Sequence, residues 1–342
     1  MTYSVALNFE DGVTRFINCH PGETVLDSAY RHQINLPMDC SDGVCGTCKC
    51  ACSDGEYELG DDYIDEALTD DEKEKRLVLT CQMVPESDCV LEIPVASGSC
   101  KTGMQSSTAR VQSATALSAT SFELKVELEK GIDFLPGQYV NIRVPDSNEQ
   151  VRAYSFTSLP GSNEAGFLIR NVKDGLMSSW LQDKAAAGVE LQLTGPLGVF
   201  YLRKVERPVL MLAGGTGLAP FLSMLATLRQ NGCSQPVHLI YGVTQDADLV
   251  CIEQLETFAK EIDGFTFKTV VADTGSEHPR KGYVTQHMED APLSSGDVDI
   301  YLCGPPPMVD AVVNFLEQEG IKPNSFHYER FTPSVSKEAA AS

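Results

Sequence analysis

The sequence predicts a multidomain chain: a cysteine-bearing N-terminal module, an antiparallel β-barrel, and an α/β unit on a parallel sheet. Three observations carry this. Cys40, Cys45, Cys48 and Cys81 are spaced C-x4-C-x2-C with one more after 32 residues. Between about 109 and 194, short alternating strands follow one another with turn residues between them. From Arg207 the rhythm becomes strand–helix–strand, which implies parallel strands covered by helices. A length of 342 residues leaves room for two or three domains, each with its own core.

The chain opens on Met1 to Glu10, which reads as a strand and not as an apolar leader. The stretch Cys40 to Cys48, CSDGVCGTC, then carries the first three cysteines of the pattern. This short-range spacing with one distant thiolate is how a plant-type ferredoxin holds a 2Fe–2S cluster. Gly43 and Gly46 let the backbone curl around inorganic sulfide in dihedrals that a Cβ would forbid, and the curl turns N–H groups toward anionic sulfur. The metal ligands expected are therefore Cys40, Cys45, Cys48 and Cys81.

Twelve cysteines are more than one cluster needs. Cys50 and Cys52 alternate with Cys48 as a strand leaving the loop, so both are expected to be small buried filler. A disulfide framework is not expected in so long a chain without a leader. Zinc would want paired C-x2-C knuckles or histidines at ligand spacing. The six histidines, His20, His32, His238, His278, His287 and His327, are scattered. A reducing, cytoplasmic compartment is the expectation, and no apolar run approaches the length that spans a bilayer.

The net charge of −22 is uneven: residues 1–100 hold 20 acidic and 6 basic side chains, with the densest acidic stretch from Asp54 to Glu74. Such charge argues against nucleic acid as a partner and suits docking on a basic protein surface. For any single acidic residue, a solvated face is an equally good explanation.

A small, polar, glycine-containing stretch at 97–108 marks a boundary. The domains expected are 1–98, a linker 99–108, a barrel 109–206, an α/β domain 207–333 and a mobile tail 334–342. In the barrel, strands are expected at 109–117, 122–128, 138–144, 154–157, 166–172 and 190–194, with one helix at 175–187 and a tight turn at 195–198. In the α/β part, strands at 208–213, 237–241, 266–272 and 298–303 alternate with helices at 220–231, 249–261 and 308–318.

Several motifs carry chemistry. Arg152, Tyr154 and Ser155 form R-x-Y-S, in which a guanidinium can meet a pyrophosphate, a phenol ring can lie on a flat heterocycle and a hydroxyl can bond a ring nitrogen. Alone, this pattern is better read as an ordinary amphipathic strand, and its context reverses that. Gly175 and Ser178 open the helix, where free N–H groups can receive the same pyrophosphate. Gly214 to Pro220, GGTGLAP, follows an apolar strand and precedes a helix, as a dinucleotide loop does. It departs from G-x-G-x-x-G because Pro220 stands at the third glycine, a position where proline suits a first helical turn. Cys303 to Met308, CGPPPM, ends a later strand of the same sheet and is expected to join that loop at one crevice.

Taken together, these motifs resemble the ferredoxin–NADP reductase superfamily, in the family's order. With the N-terminal plant-type ferredoxin, the chain is similar to the reductase component of ring-hydroxylating aromatic dioxygenases of the benzoate, toluate and anthranilate type. The resemblance implies an α+β ferredoxin (β-grasp) domain, an antiparallel β-barrel FAD domain and an α/β parallel-sheet NAD domain. It implies that Arg152, Tyr154 and Ser155 hold FAD, with Ser155 near the reactive N5 and Tyr154 against the ring system, and that Gly175 and Ser178 support the pyrophosphate. Gly215, Thr216, Gly217 and Gly304 would bind the nicotinamide nucleotide, with Cys303 near its reactive ring. Phe331, in Glu329-Arg330-Phe331, would either cover the flavin or pack in the core.

The implied activity passes electrons from NADH through FAD and a 2Fe–2S cluster to a Rieske-type oxygenase, which must be another protein because paired Cys–His motifs are absent here. A diiron monooxygenase as acceptor, or a non-catalytic redox-sensing protein, are the alternatives. NADH is expected over NADPH. No Lys or Arg lies between Tyr241 and Gln254, and Thr244, Asp246 or Asp248 can bond a free ribose hydroxyl. The aspartates could instead cap the next helix. Arg280 and Lys281 are the cations that folding might bring near.

Overall fold

The computed structural model describes residues 2–38, 43, 46–60, 63–65, 67–100, 105–288 and 293–331. The expected ligands Cys40 and Cys45, residues 101–104 of the expected linker, and the tail 334–342 lie outside the described residues. The chain divides into two compact units, residues 1–105 with 197–199, and residues 106–196 with 200–342.

The first unit contains β1 (Tyr3–Phe9), β2 (Thr14–Cys19), α1 (Val25–Arg31), β3 (Lys49–Asp54), β4 (Tyr57–Leu59), α2 (Asp70–Glu74), β5 (Leu77–Leu79), β6 (Met83–Pro85) and β7 (Cys89–Ile93). Alternation sets the inward face: β1 buries Val5, Leu7 and Phe9. The sheet order is β2-β1-β7-β3-β5, with β1 and β7 parallel and β1–β2, β3–β5 and β3–β7 antiparallel, and β4 pairs antiparallel with β6 apart from it. Helix α1 begins at Thr24, whose hydroxyl accepts from Asp27 N. Helix α2 opens on a reciprocal cap between Thr69 and Glu72. Sheet and α1 close over Ile17, Val25, Leu79 and Met83, giving an α+β module.

The second unit begins with β8 (Gln105–Ser118), β9 (Ser121–Leu128), β10 (Tyr139–Arg143), β11 (Val151–Ser155), β12 (Glu164–Arg170), α3 (Leu176–Asp183) and β13 (Glu190–Leu197). Their order is β11-β10-β13-β8-β9-β12. An antiparallel bridge between Phe156 and Phe167 joins the two edge strands and closes a barrel. Phe156 stacks on Phe134 with ring centroids 3.8 Å apart, filling the closure. Two details differ from expectation. Helix α3 stops at Asp183, because the backbone after Ala187 is drawn into pairing: Gly188 N donates to Val111 O and Val111 N to Val189 O. The stretch at 195–198 is not a tight turn, since β13 runs on through Leu197.

The rest of this unit holds β14 (Val209–Gly214), α4 (Ala219–Asn231), β15 (Val237–Val243), α5 (Ile252–Glu261), β16 (Phe265–Val271), β17 (Asp299–Gly304), α6 (Pro306–Gln318) and β18 (Ser325–Arg330). The sheet is parallel throughout, in the order β16-β15-β14-β17-β18. On one face Met211, Ala213 and Tyr301 pack against Phe221, Leu225 and Phe258 of α4 and α5. On the other, Leu210, Leu212 and Leu302 meet Val309, Val312 and Leu316 of α6. Leu168 and Phe200 from the barrel side join the first core, with Phe200 edge-on to Phe221 at 5.8 Å. Strand β18 was not expected from the sequence. Helix α5 starts three residues later than expected, because Cys251 sits at φ +59.

Candidate functional site

The order of the parallel sheet reverses between β14 and β17, where Ala213 pairs with Cys303. Connections leave in opposite directions there, and the carboxyl ends open into a crevice. After β14 the chain forms a tight turn over Gly215–Leu218 and enters α4, whose N-terminus has no side-chain cap and carries Pro220 in its first turn. Gly217 lets this loop lie on β17, since an added Cβ would be 2.3 Å from Cys303 O. Gly215 has φ +55 and faces open space. The fold thus brings Gly215, Thr216 and Gly217 together with Cys303 and Gly304. Phe331 N donates to Gly304 O at 2.9 Å, and its half-buried ring packs against the core.

The barrel supplies the facing groups. Strand β11 carries Arg152, Tyr154 and Ser155, paired with Ile142, Val140 and Tyr139 of β10. The Phe156–Phe167 bridge directs the Arg152 end of β11 toward the end of β12 from which the chain turns into α3. Gly175 is the N-cap of α3 and offers no side-chain oxygen, so the first N–H groups of the helix keep their positive end unneutralised. Ser178 shapes the approach: its Oγ accepts from Val172 N at 2.9 Å and donates to Arg170 O at 3.4 Å. Arg152 donates to Val151 O and Gln150 Oε1. Burial pushes the Tyr154 hydroxyl above its ordinary pKa.

Ser155 and Cys303 meet through a carboxylate that sequence reasoning did not single out. Ser155 Oγ donates to Glu329 Oε2 at 3.4 Å, and Cys303 Sγ lies 3.9 Å from the same oxygen. Cys303 is fully buried, and desolvation together with the Glu329 charge holds its thiol protonated, well above the ordinary value. Glu329 reaches this place because β18 pairs in register with β17, Cys303 opposite Glu329. Its signal in the sequence is the alternation Ser325, His327, Glu329 on one side of a short polar strand, two residues before Phe331.

One strand away, Thr244 and Asp246 follow β15. Asp246 Oδ1 accepts from Ser276 Oγ at 2.8 Å, while Asp248 accepts from Gln245 N and from Thr120 Oγ1. Neither aspartate caps α5, which begins after Cys251 without a side-chain cap. Arg280 does come to this rim, for its O accepts from Val271 N at the end of β16, and His278 Nδ1 takes the Arg280 N–H at 3.1 Å.

In the N-terminal unit, the antiparallel pairing of Lys49 with Leu79 places Cys48 and Cys81 side by side just beyond the strand ends. Their sulfurs are buried and 3.3 Å apart, with no disulfide between them. Gly43 and Gly46 have φ +73 and +71. Cys50 points inward on β3, where burial raises its thiol far above the ordinary value. Among the described residues no group of three metal-ligating side chains gathers.

These donor sets fit three groups. Two convergent buried thiols, one of them two residues after a glycine at positive φ, suit an iron–sulfur cluster. A guanidinium and an uncapped helix end beside a half-buried phenol suit a flavin nucleotide, and the glycine-lined switch-point crevice suits a nicotinamide nucleotide. No helix is long and apolar enough to cross a membrane.

Comparison with known proteins gives the same division. Residues 8–86 match the 2Fe-2S iron-sulfur cluster binding domain, residues 108–201 the oxidoreductase FAD-binding domain and residues 211–314 the oxidoreductase NAD-binding domain. The chain is 52% identical over 337 residues to the toluate 1,2-dioxygenase electron transfer component of Pseudomonas putida, covering 98% of this chain and 100% of that one. It is 46% identical to the 2-halobenzoate 1,2-dioxygenase electron transfer component of Burkholderia cepacia, covering 98% and 99%. Among solved structures, a cytochrome P450 reductase of Amycolatopsis superimposes with a TM-score of 0.75 at 31% identity, covering 98% of this chain and all of that one.

Proposed function

We propose a function from one premise: this chain belongs to the family of reductases that join a 2Fe–2S domain to FAD- and NAD-binding domains, which includes the electron transfer components of aromatic dioxygenases. It takes two electrons from NADH and delivers them one at a time to a separate oxygenase. Bound FAD supplies the change from paired to single electrons, and the 2Fe–2S cluster supplies the one-electron exit. The chain's own residues bind, orient and exclude water.

Arg152 and the open N-terminus of α3, with Gly175 and Ser178, hold the flavin pyrophosphate, and Tyr154 and Ser155 the ring system. Gly215, Thr216, Gly217 and Gly304 hold the nicotinamide nucleotide, and Thr244 and Asp246 its adenosine ribose. Cys303, a buried neutral thiol, and Ser155 bracket the junction where the two rings meet, with Phe331 at its edge. Cys40, Cys45, Cys48 and Cys81 hold the cluster. The domains are 1–98, 109–206 and 207–333, with 99–108 as linker. The acceptor is the Rieske cluster of an oxygenase acting on a benzoate-like aromatic acid, a reading supported by the toluate and halobenzoate relatives. A reducing cytoplasm is the proposed compartment, in keeping with ten described cysteines of which none forms a disulfide.

The observation that carries the reading is the Ser155–Glu329–Cys303 cluster, which joins barrel rim and sheet crevice at one point. Its test separates the two halves of the route. Cys48→Ser should bleach the cluster absorbance and abolish delivery to cytochrome c or an oxygenase, yet leave flavin reduction by NADH intact. Cys50→Ser should keep both. Exchange of those two results would overturn the ligand assignment, and loss of flavin reduction in Cys48→Ser would overturn the order of the route.

A further inference from the structure

Cys52, toward the end of β3 remote from Cys48, is in side-chain contact with Cys89 at the start of β7. Cys52 is four residues beyond Cys48, which along a strand is about 13 Å. β3 and β7 pair with an irregularity between Cys52 and Asp54, which leaves Ser53 outside the register. A bulge of this kind re-aims side chains. Here it coincides with a thiol pair. Gly55, at φ +101, gives the second sulfur its space, for an added Cβ would lie 2.6 Å from Cys89 Sγ and 2.4 Å from Asp88 O.

Arg76 completes the arrangement. Its Nε donates to Cys52 O at 3.0 Å, its Nη2 donates to Gly55 O, and the same Nη2 is 3.6 Å from Cys52 Sγ. Both thiols also reach backbone oxygens, Cys52 that of Asp54 and Cys89 those of Glu56 and Ser87. The two sulfurs are not equivalent. A hydrogen bond from Cys89, with the Arg76 contact, brings the Cys52 thiol below its ordinary range. The Cys52 charge and burial push Cys89 up, so its proton stays. The result is one thiolate beside one thiol. Both residues are buried, but Arg76, Asp54, Glu56 and Asp88 around them are exposed, so the pair lies one side chain below the surface.

We propose that Cys52 and Cys89 are a peroxide-reactive dithiol, oxidised by a hydroperoxide to an intramolecular disulfide without involvement of the cluster ligands. In the first step Cys52 sulfur attacks one peroxide oxygen. An S–O bond forms, the O–O bond breaks, sulfur loses two electrons, and the leaving oxygen takes a proton from solvent to become an alcohol or water. In the second step Cys89 sulfur attacks Cys52 sulfur. The S–S bond forms and the hydroxyl leaves as water with the Cys89 proton. The Cys89 S–H and the Arg76 guanidinium together favour the Cys52 thiolate, the form that attacks.

The test uses the full chain with its cofactors, hydrogen peroxide as probe, and peptide mapping after alkylation. A Cys52–Cys89 disulfide reversed by dithiothreitol is the expected product, with Cys50 and Cys100 still alkylated as thiols. Cys89→Ser should stop at a Cys52 sulfenic acid captured by dimedone. Arg76→Met should slow the first step about threefold or more. Removing the guanidinium lowers the thiolate fraction at pH 7, which the accompanying rise in nucleophilicity only partly offsets. First oxidation at another cysteine, or cluster loss before any Cys52–Cys89 disulfide, would overturn the proposal. Because the Cys89→Ser trapping stands on its own, a poorly folded Arg76 variant does not protect it.

Discussion

Glu329 is a single carboxylate serving two groups from different layers, Ser155 on the barrel and Cys303 on the sheet. Its charge fixes the direction of the Ser155 hydroxyl and helps keep Cys303 protonated. Replacing it with glutamine keeps the shape and removes the charge. Glu329→Gln should slow flavin reduction by NADH about tenfold, or ~1.4 kcal/mol, with FAD content and NADH affinity unchanged. Stopped-flow bleaching of the flavin would check this, and an unchanged rate would assign Glu329 to packing alone. The motif residues Arg152, Ser155, Gly215 and Cys303 were legible in the sequence because each sits in a spaced pattern tied to a backbone feature. Glu329 was not, because its role depends on a strand pairing that no local spacing reveals.

At the scale of elements, strands with long apolar runs were the easiest to read. Val209–Gly214 and Asp299–Gly304 are buried along nearly their whole length, as strands covered on both faces are. β18 was missed because its residues, SFHYER, lie at a partly exposed sheet edge and carry no such run. The alanines at 185–187 favoured a longer α3, and pairing with β8 overrode that propensity. The proposed preference for NADH rests on the loop after β15. Folding does bring Arg280 to that rim, but the Asp246 carboxylate is held there by the buried Ser276 hydroxyl. A 2′-phosphate would meet that carboxylate first. NADH should therefore be favoured over NADPH in kcat/KM by at least about tenfold, ~1.4 kcal/mol. Asp246→Ala should narrow the ratio, and equal use of both nucleotides by the unaltered protein would refute the assignment.

For the whole molecule, His327 links acid sensitivity to the joint between barrel and sheet. It lies 4.9 Å from the Tyr301 ring, whose hydroxyl accepts from Arg203 N. Burial first, then the Arg203 charge, push its pKa down from 6.5 to about 4. Above about pH 6.5 both folded and unfolded chains hold it neutral, and nothing is lost. As pH falls toward 4, the unfolded chain takes the proton and the folded one does not, so stability declines by up to roughly 3 kcal/mol and then levels off. Urea midpoints from pH 7 to pH 4 should show this limb, and His327→Phe should flatten it. An equal slope in the variant would remove His327 as the cause.

The three-part architecture was legible because each part has its own periodicity and its own motif. Partner choice was less so, since charge alone marks a surface without naming what meets it. Residues 1–100 hold 20 acidic against 6 basic side chains. Attraction between exposed charges reaches about 10 Å at 0.1 M salt and about 3 Å at 1 M. The most direct measurement is therefore stopped-flow reduction of the Rieske cluster in a purified benzoate-type oxygenase, driven by NADH through this protein as salt is raised. The expected result is rapid Rieske reduction at low salt that slows as salt rises, while ferricyanide reduction stays nearly constant. Ferricyanide reduction at full rate with no Rieske reduction at any salt concentration would contradict the assignment.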